Sequence, residues 1–350
     1  MSAEKTRGEV DVSSTPDLST REIESQGFDN VANKKLLRKL DWHIIPFMSL
    51  IYLLSVGPRT IVSRKGVNYY ISQWYQRHEC GFRMALFFSA ATLAGAFGGI
   101  LARGIAEMSG VGGKSAWSWI FILEGLLSIL VSMIAYWCIY DYPATATFLS
   151  TKEREKVERR LTEDHGHLSN DFDTKYVWQA IKDWKIYIFM FICMAGFCPI
   201  YSFALFLPTI IKNMGYSAND AQLMSVPPYV CACFFTISAS WYADRVRKRG
   251  IFMLGFQLVA IAGFSMLAAN AKPRVQYAGT VLAAIGIYPQ IPLGMAWNSA
   301  NIGGSLKRGT GIAMQVMGGN CGGIIASYVY ISRDEPRYIK GHCLLIAIIA

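Results

Sequence analysis

The chain has 350 residues, 53% of them apolar and only 17% charged, which is more apolar surface than one soluble core can hide, so lipid is expected to be its solvent. The formal charge of +10 invites a nucleic-acid partner, but no basic groove or base-stacking module accompanies it. The basic residues sit between apolar runs, where membrane topology accounts for them.

In chain order, residues 1–40 are polar and Ser/Thr-bearing and lack the apolar core of a signal peptide. A disordered cytosolic tail is expected there. Apolar pieces at 44–57 and 66–75 fall below the ~17 residues that a spanning helix needs, and read as fragments. Runs at 84–106, 117–140, 185–211, 222–243, 251–270, 276–297 and 309–331 are long enough to cross about 30 Å of hydrocarbon at ~1.5 Å per residue. A last apolar piece ends at Ala350. The expectation is an all-α polytopic membrane protein with seven full spans plus fragments, in two helical bundles: an incomplete N-terminal bundle over 41–140 and a C-terminal bundle over 185–350.

The linker 141–184 opens at Asp141-Tyr142-Pro143, where proline ends the preceding span, and continues through Ser150-Thr151-Lys152-Glu153. The latter is a capping-box pattern ahead of a charged helix. Val157 and Leu161 give that helix a thin apolar stripe, which fits a membrane surface or a domain-facing position better than a core. Loop by loop, Lys and Arg concentrate before the first apolar piece, at Arg77 and Arg83, from Asp141 through Lys185, at 245–249, and at Lys307-Arg308. The alternate loops carry fewer, so the first set, with the N-terminus, is expected in the cytosol.

Trp241-Tyr242-Ala243-Asp244-Arg245-Val246-Arg247-Lys248-Arg249 places acid and base in a short turn between two spans and reads as a cytoplasmic hinge or gating motif, with Asp244, Arg245 and Arg249 as its charged members. Five cysteines, Cys193, Cys198, Cys231, Cys233 and Cys321, lie in spans with no ligand-like Cys/His spacing, and read as small buried hydrophobes. The five histidines lie outside the full spans. Neither a metal, a cofactor nor a disulfide framework is expected, and no hydrolytic or redox constellation points to an enzyme.

Glu124 is the one carboxylate well inside a full span. A charge there costs about 2.5–3.5 kcal/mol, so it is either a proton-coupling group, as a buried carboxylate can be, or a packing partner of an Arg or backbone group. Tyr288-Pro289-Gln290-Ile291-Pro292 removes two backbone donors within one span, and the carbonyls so freed call for a polar cavity. Gln290, Trp297, Asn298 and Asn301 on or just beyond that helix can hydrogen-bond a carboxylate or ring nitrogen. Phe197 and Tyr201, one turn apart around Pro199, suit a flat ring substrate or helix packing. Gly95 with Gly99, Gly318 with Gly322, and Gly319 with Gly323 are patterns for close helix approach. Gln315 and Asn320 read as interhelical hydrogen bonds.

Gly66-Val67-Asn68-Tyr69-Tyr70, Trp74-Tyr75, Phe87-Phe88-Ser89-Ala90-Ala91, Trp119-Ile120-Phe121-Ile122-Leu123-Glu124-Gly125, Leu205-Phe206-Leu207-Pro208-Thr209, Val226-Pro227-Pro228-Tyr229, Gly286-Ile287-Tyr288-Pro289 and Lys307-Arg308-Gly309 follow one another in order. Together they resemble a fungal major facilitator superfamily transporter of the anion:cation symporter group, the allantoate and nicotinic acid permease relatives. The resemblance covers nearly the whole chain after about Asn33. It implies proton-linked uptake of a small organic anion by alternating access, a carboxylated heterocycle such as nicotinate ahead of allantoate, at the plasma membrane. It also implies that Asp244-Arg245 is the second-half copy of the superfamily's cytoplasmic-loop motif, and that the helices bearing Phe197, Tyr201, Tyr288 and Gln290 line the central cavity while Glu124 lies outside it.

Full members of that family have twelve spans, and here the text jumps from Leu53-Leu54-Ser55 of the first almost to the end of the fourth. The first-half copy of the loop motif goes with them, Gly57-Pro58-Arg59 replaces the usual acid-Arg pair, and the chain stops inside the resembled twelfth helix. An internal deletion and a truncated C-terminus are therefore expected. A transport-dead remnant or sensor of the family stays open beside the transporter, and a seven-span receptor is the distant alternative. The partners expected are a small organic anion, protons and lipid.

Overall fold

The computed structural model describes residues 18–53, 70–71, 73–76, 79–108, 110–140, 142–165, 174–269, 272–335 and 337–350. The Gly57-Pro58-Arg59 segment and half of the 66–75 fragment lie outside the described residues. Two compact units divide the chain, 1–44 and 45–350. The described residues of the first belong to helix α1, Leu18–Leu53. Of the tail expected to be disordered, residues 18–40 are helical here, and residues 1–17 lie outside the described residues. Leu36, Leu40 and Ile44 recur four apart and are buried, so the charged segment has an apolar stripe after all.

The second unit contains α2 (Cys80–Ala106), α3 (Ala116–Cys138), α4 (Thr151–His165), α5 (Thr174–Ile181), α6 (Trp184–Asn213), α7 (Ala218–Met224) and α8 (Val226–Val246), followed by α9 (Arg249–Ala268), α10 (Pro273–Ile287), α11 (Gln290–Asn301), α12 (Ser305–Ala326) and α13 (Ile339–Ile349). No strand occurs among the described residues. Among the described residues, six helical segments are long and apolar enough to cross a membrane: Cys80–Leu101, Ala116–Ala135, Trp184–Asn213, Asp220–Val246, Arg249–Ala268 and Pro273–Asn301. The seventh expected span corresponds to α12. Its 22 residues suffice in length, but its glycines and the amides Gln315 and Asn320 dilute its apolar character.

Those glycines have a packing role. A Cβ on Gly319 would lie 2.8 Å from the Phe197 ring, one on Gly322 would lie 2.6 Å from the Met194 carbonyl oxygen, and one on Gly323 would lie 3.1 Å from the Tyr201 ring. α12 thus meets α6 at backbone range. In lipid no hydrophobic force drives one helix onto another, so dispersion at such close range and interhelical hydrogen bonds must hold the pair.

α2 uses the same device, with Gly95 beneath Tyr229 of α8 and Gly99 beside the Gln222 carbonyl of α7, and also touches α11. A helix from the first half of the sequence therefore lies directly on helices of the second. Residues 45–350 are one compact unit.

Within that linker, α4 opens with the expected reciprocal cap: the Ser150 N–H donates to Glu153 Oε2 at 2.9 Å and the Glu153 N–H donates to Ser150 Oγ at 3.4 Å. Val157 is buried. Arg160 reaches Glu79 at 2.7 Å, and Gln76 Nε2 donates to the Arg160 carbonyl at 2.9 Å. Of the two placements open from sequence, α4 takes the domain-facing one.

Candidate functional site

The most densely bonded polar cluster surrounds Asp244, near the end of α8. A two-residue turn, Arg247-Lys248, with Arg247 in the left-handed region at φ 58°, sets Arg249 at the start of α9 facing back toward it. Arg249 donates from Nη2 and Nε to Asp244 Oδ1 at 2.7 and 3.1 Å, and from Nη1 to the Ala296 carbonyl of α11 at 2.8 Å. The other carboxylate oxygen, Oδ2, accepts the backbone N–H of Phe82 at 2.6 Å.

Phe82 lies in the first turn of α2, whose N–H groups have no intrahelical partner. The helix's own N-cap residue, Glu79, makes no side-chain cap, its carboxylate being turned to Arg160. Asp244 therefore caps α2 from another helix, adding charge–dipole attraction to the hydrogen bond. Gly81 makes room, since any Cβ there would collide with that carboxylate. Arg245 stands apart from this cluster, over the Trp241 ring at 5.6 Å. Sequence reasoning singled out Asp244 and Arg249 but missed Gly81 and Phe82, for which a glycine one residue into a helix was the available signal.

The second feature is the break between α10 and α11 at Tyr288-Pro289. Gln290 donates from Nε2 to the Met253 carbonyl of α9 at 3.0 Å and to the Gly286 carbonyl of α10 at 3.4 Å. Its amide thus ties the start of α11 to the neighbouring α9. Gln290 lines a cavity with Gln257 and Gln315, closed by Cys193, Gly196 and Pro199 of α6 and Met253 of α9. No charged side chain lines it.

The remaining candidates are dispersed. Phe197 and Tyr201 are adjacent, ring centroids 5.6 Å apart, but rest on the glycines of α12, and the Tyr201 hydroxyl donates to Asn320 Oδ1 at 2.8 Å. Tyr288 meets Tyr229 edge-on at 5.9 Å, near the α2 seam. Trp297 packs against Phe189 at 5.4 Å and over Gly250. Asn298 is fully buried and donates to Gln315 Oε1 at 2.7 Å, leaving Asn298 Oδ1 and Gln315 Nε2 without hydrogen-bond partners. Gln315 and Asn320 thus make the interhelical bonds expected of them. Glu124 is half-buried on α3 and makes no hydrogen bond or ion pair among the described residues.

A family model, the Major Facilitator Superfamily, matches residues 65–329. An uncharacterized transporter of Schizosaccharomyces pombe is 36% identical over 282 residues, covering 80% of this chain and 56% of the relative. The high-affinity nicotinic acid transporter of Saccharomyces cerevisiae is 31% identical over 283 residues, covering 80% and 52% respectively. The chain spans little more than half the length of these relatives.

Among solved structures, the proton:xylose symporter XylE bound to 6-bromo-6-deoxy-D-glucose superposes with a TM-score of 0.62 at 15% identity, over 82% of this chain and 66% of that one. The E. coli fucose:proton symporter FucP gives 0.53 at 14%, over 81% and 71%. These two speak to fold alone. With the family model spanning most of the sequence and relatives above 30% identity, this multi-pass helical membrane protein, which is not an enzyme, belongs to the Major Facilitator Superfamily.

Proposed function

We propose that the chain carries a small organic anion across the plasma membrane together with a proton, by alternating access, with its N-terminus in the cytosol. The observation that carries this reading is the Asp244 junction. It joins α2, from the first half of the sequence, to α8, α9 and α11 through one carboxylate, a contact that is strong when made and leaves separate polar groups to hydrate when broken. Such a junction suits a protein that alternates between two arrangements of its helices.

The substrate is a nicotinate-like or allantoate-like carboxylate. This is supported by the likeness to the nicotinic acid transporter and by the amide and aromatic side chains along α6, the α10–α11 break and α11: Phe197, Tyr201, Tyr288, Gln290, Trp297 and Asn298. Glu124 is the proton-coupling candidate, as a carboxylate within a membrane-spanning segment, where a charge is costly enough to call for a role. Asp244, Arg245 and Arg249 form the gate on the cytosolic side.

Labelled nicotinate uptake into cells expressing the chain tests this. Uptake should exceed that of vector controls, fall about tenfold or more with Tyr201→Ala or Gln290→Ala, as loss of a substrate hydrogen bond predicts, and lose its pH dependence with Glu124→Gln. If neither nicotinate nor allantoate enters above background while the protein reaches the membrane, the second reading takes over: a family member that does not transport. Membership in the family leaves no place for the seven-span receptor.

A further inference from the structure

α5 and the start of α6 form a surface that the proposed transport does not use. Ala180 is the buried point of α5, packed with Ile186 and Ile302. On the opposite side Trp178 is 61% exposed and Ile181 is exposed beside it, and just beyond the helix Trp184 is 66% exposed. Lys182 and Lys185 flank them, both exposed. The acid in this cluster, Asp183, is occupied: it caps α6 by accepting the Lys185 N–H at 3.2 Å, and its Oδ2 holds Lys307 of α12 at 2.7 Å. The α5–α6 junction is therefore net basic.

Two bare indoles beside two bare ammonium groups, where an apolar span begins, match the boundary between hydrocarbon and headgroups. Indole rings settle at that depth, and lysine stems reach from it to phosphate. Lysine counting places this end of α6 on the cytosolic side, where a leaflet carries its anionic lipid.

We infer that Trp178, Trp184, Lys182 and Lys185 form a binding surface for anionic phospholipid headgroups, with α5 lying in the interface. The ion pair from Asp183 to Lys307, together with the Ala180–Ile186–Ile302 contact, ties that surface to the first turn of α12. Bound lipid therefore holds the α6 and α12 ends together. α4, whose Val157 and Arg160 are spent on protein contacts, takes no part.

The test uses the full chain in nanodiscs of phosphatidylcholine, with or without one-fifth phosphatidylserine. A nitroxide is placed at Trp178→Cys after the exposed Cys321 and Cys343 are changed to serine. It should collide with oxygen more often than with an aqueous nickel chelate. Spin-labelled phosphatidylserine should outcompete phosphatidylcholine for the protein. That preference should drop about fivefold for each of Lys182→Gln and Lys185→Gln, the equivalent of about 1 kcal/mol per basic residue near an anionic leaflet, and should hold in Lys152→Gln/Lys156→Gln on α4. Nickel-dominated collisions at position 178 overturn the proposal. So does a lipid preference that survives both lysine changes, or one that falls equally with the α4 pair.

Discussion

α2 and α3 are neighbours in sequence and similarly apolar, yet 41% of the spanning part of α2 is buried in the protein against 17% of that of α3. The difference lies in which residues interrupt the apolar run. α2 carries Gly81, Gly95 and Gly99 along the side that meets α8, and its first turn is capped by Asp244. α3 presents Trp117, Phe121, Leu126, Ile129, Leu130, Met133 and Ile134 to its surroundings, with only a short patch at Val131 and Ala135 packed on Phe47 and Ile139. Hydropathy brings a helix into the bilayer. Small residues and a polar handle decide whether it then meets protein or lipid.

Removing the handle should have the largest effect. Asp244→Ala strands the Arg249 guanidinium, 10% exposed as a side chain, and uncaps α2, so a loss of about 3–5 kcal/mol is expected, the range for breaking a buried pair from one side. Thermal unfolding in detergent measures it, and a variant as stable as the parent would show that α2 is held by its glycines alone.

Next come the glycines. Gly95→Val drives a side chain into the Tyr229 ring, 2.9 Å from where its Cβ would stand, and should lose about 1–3 kcal/mol by overpacking. Gly125→Val on α3 meets nothing within 4 Å and should stay within about 0.5 kcal/mol. Equal losses at the two sites would break the distinction between the helices.

The smallest effect belongs to a pair that neither helix shares. The hydrogen bond from Lys307 holds the Asp183 carboxyl below its ordinary value. A depressed carboxylate contributes stability that is fully present above its unfolded value and is lost as pH falls through the folded one. Stability from this partly exposed pair should be flat from pH 6 to 8 and decline by at most about 1 kcal/mol below ~pH 4. Asp183→Asn should remove that acid-limb component from the unfolding profile.

Much of this was legible in the sequence, and the parts that were not share a cause. Runs of apolar residues marked the six spans, Ser150 and Glu153 marked the start of α4, and two prolines three apart marked the break after α10. Pairings between distant segments were hidden, because a helix's cap is ordinarily sought beside it and the one for α2 lies 162 residues away. The candidate binding residues illustrate the same limit. Gln290 offered an amide to a ligand on paper, but its nitrogen serves the Met253 and Gly286 carbonyls that the broken helix brings near it. Phe197 and Tyr201 looked like a ring platform, and their faces are set by Gly319 and Gly323 of α12. α12 itself fell short of a span's hydropathy because the residues that let it approach α6 are the ones that dilute it.

The single carboxylate at Asp244 serves a helix end through one oxygen and a guanidinium through the other. Pulling α2 away from α8 removes the hydrogen bond from Phe82 and opens Asp244 and Arg249 to water in the same movement, so intermediate separations have lost the bond without yet being fully hydrated. Such a contact resists small displacements and gives way all at once. A junction with that property acts as a threshold element, sorting the molecule into attached and detached populations and leaving little in between.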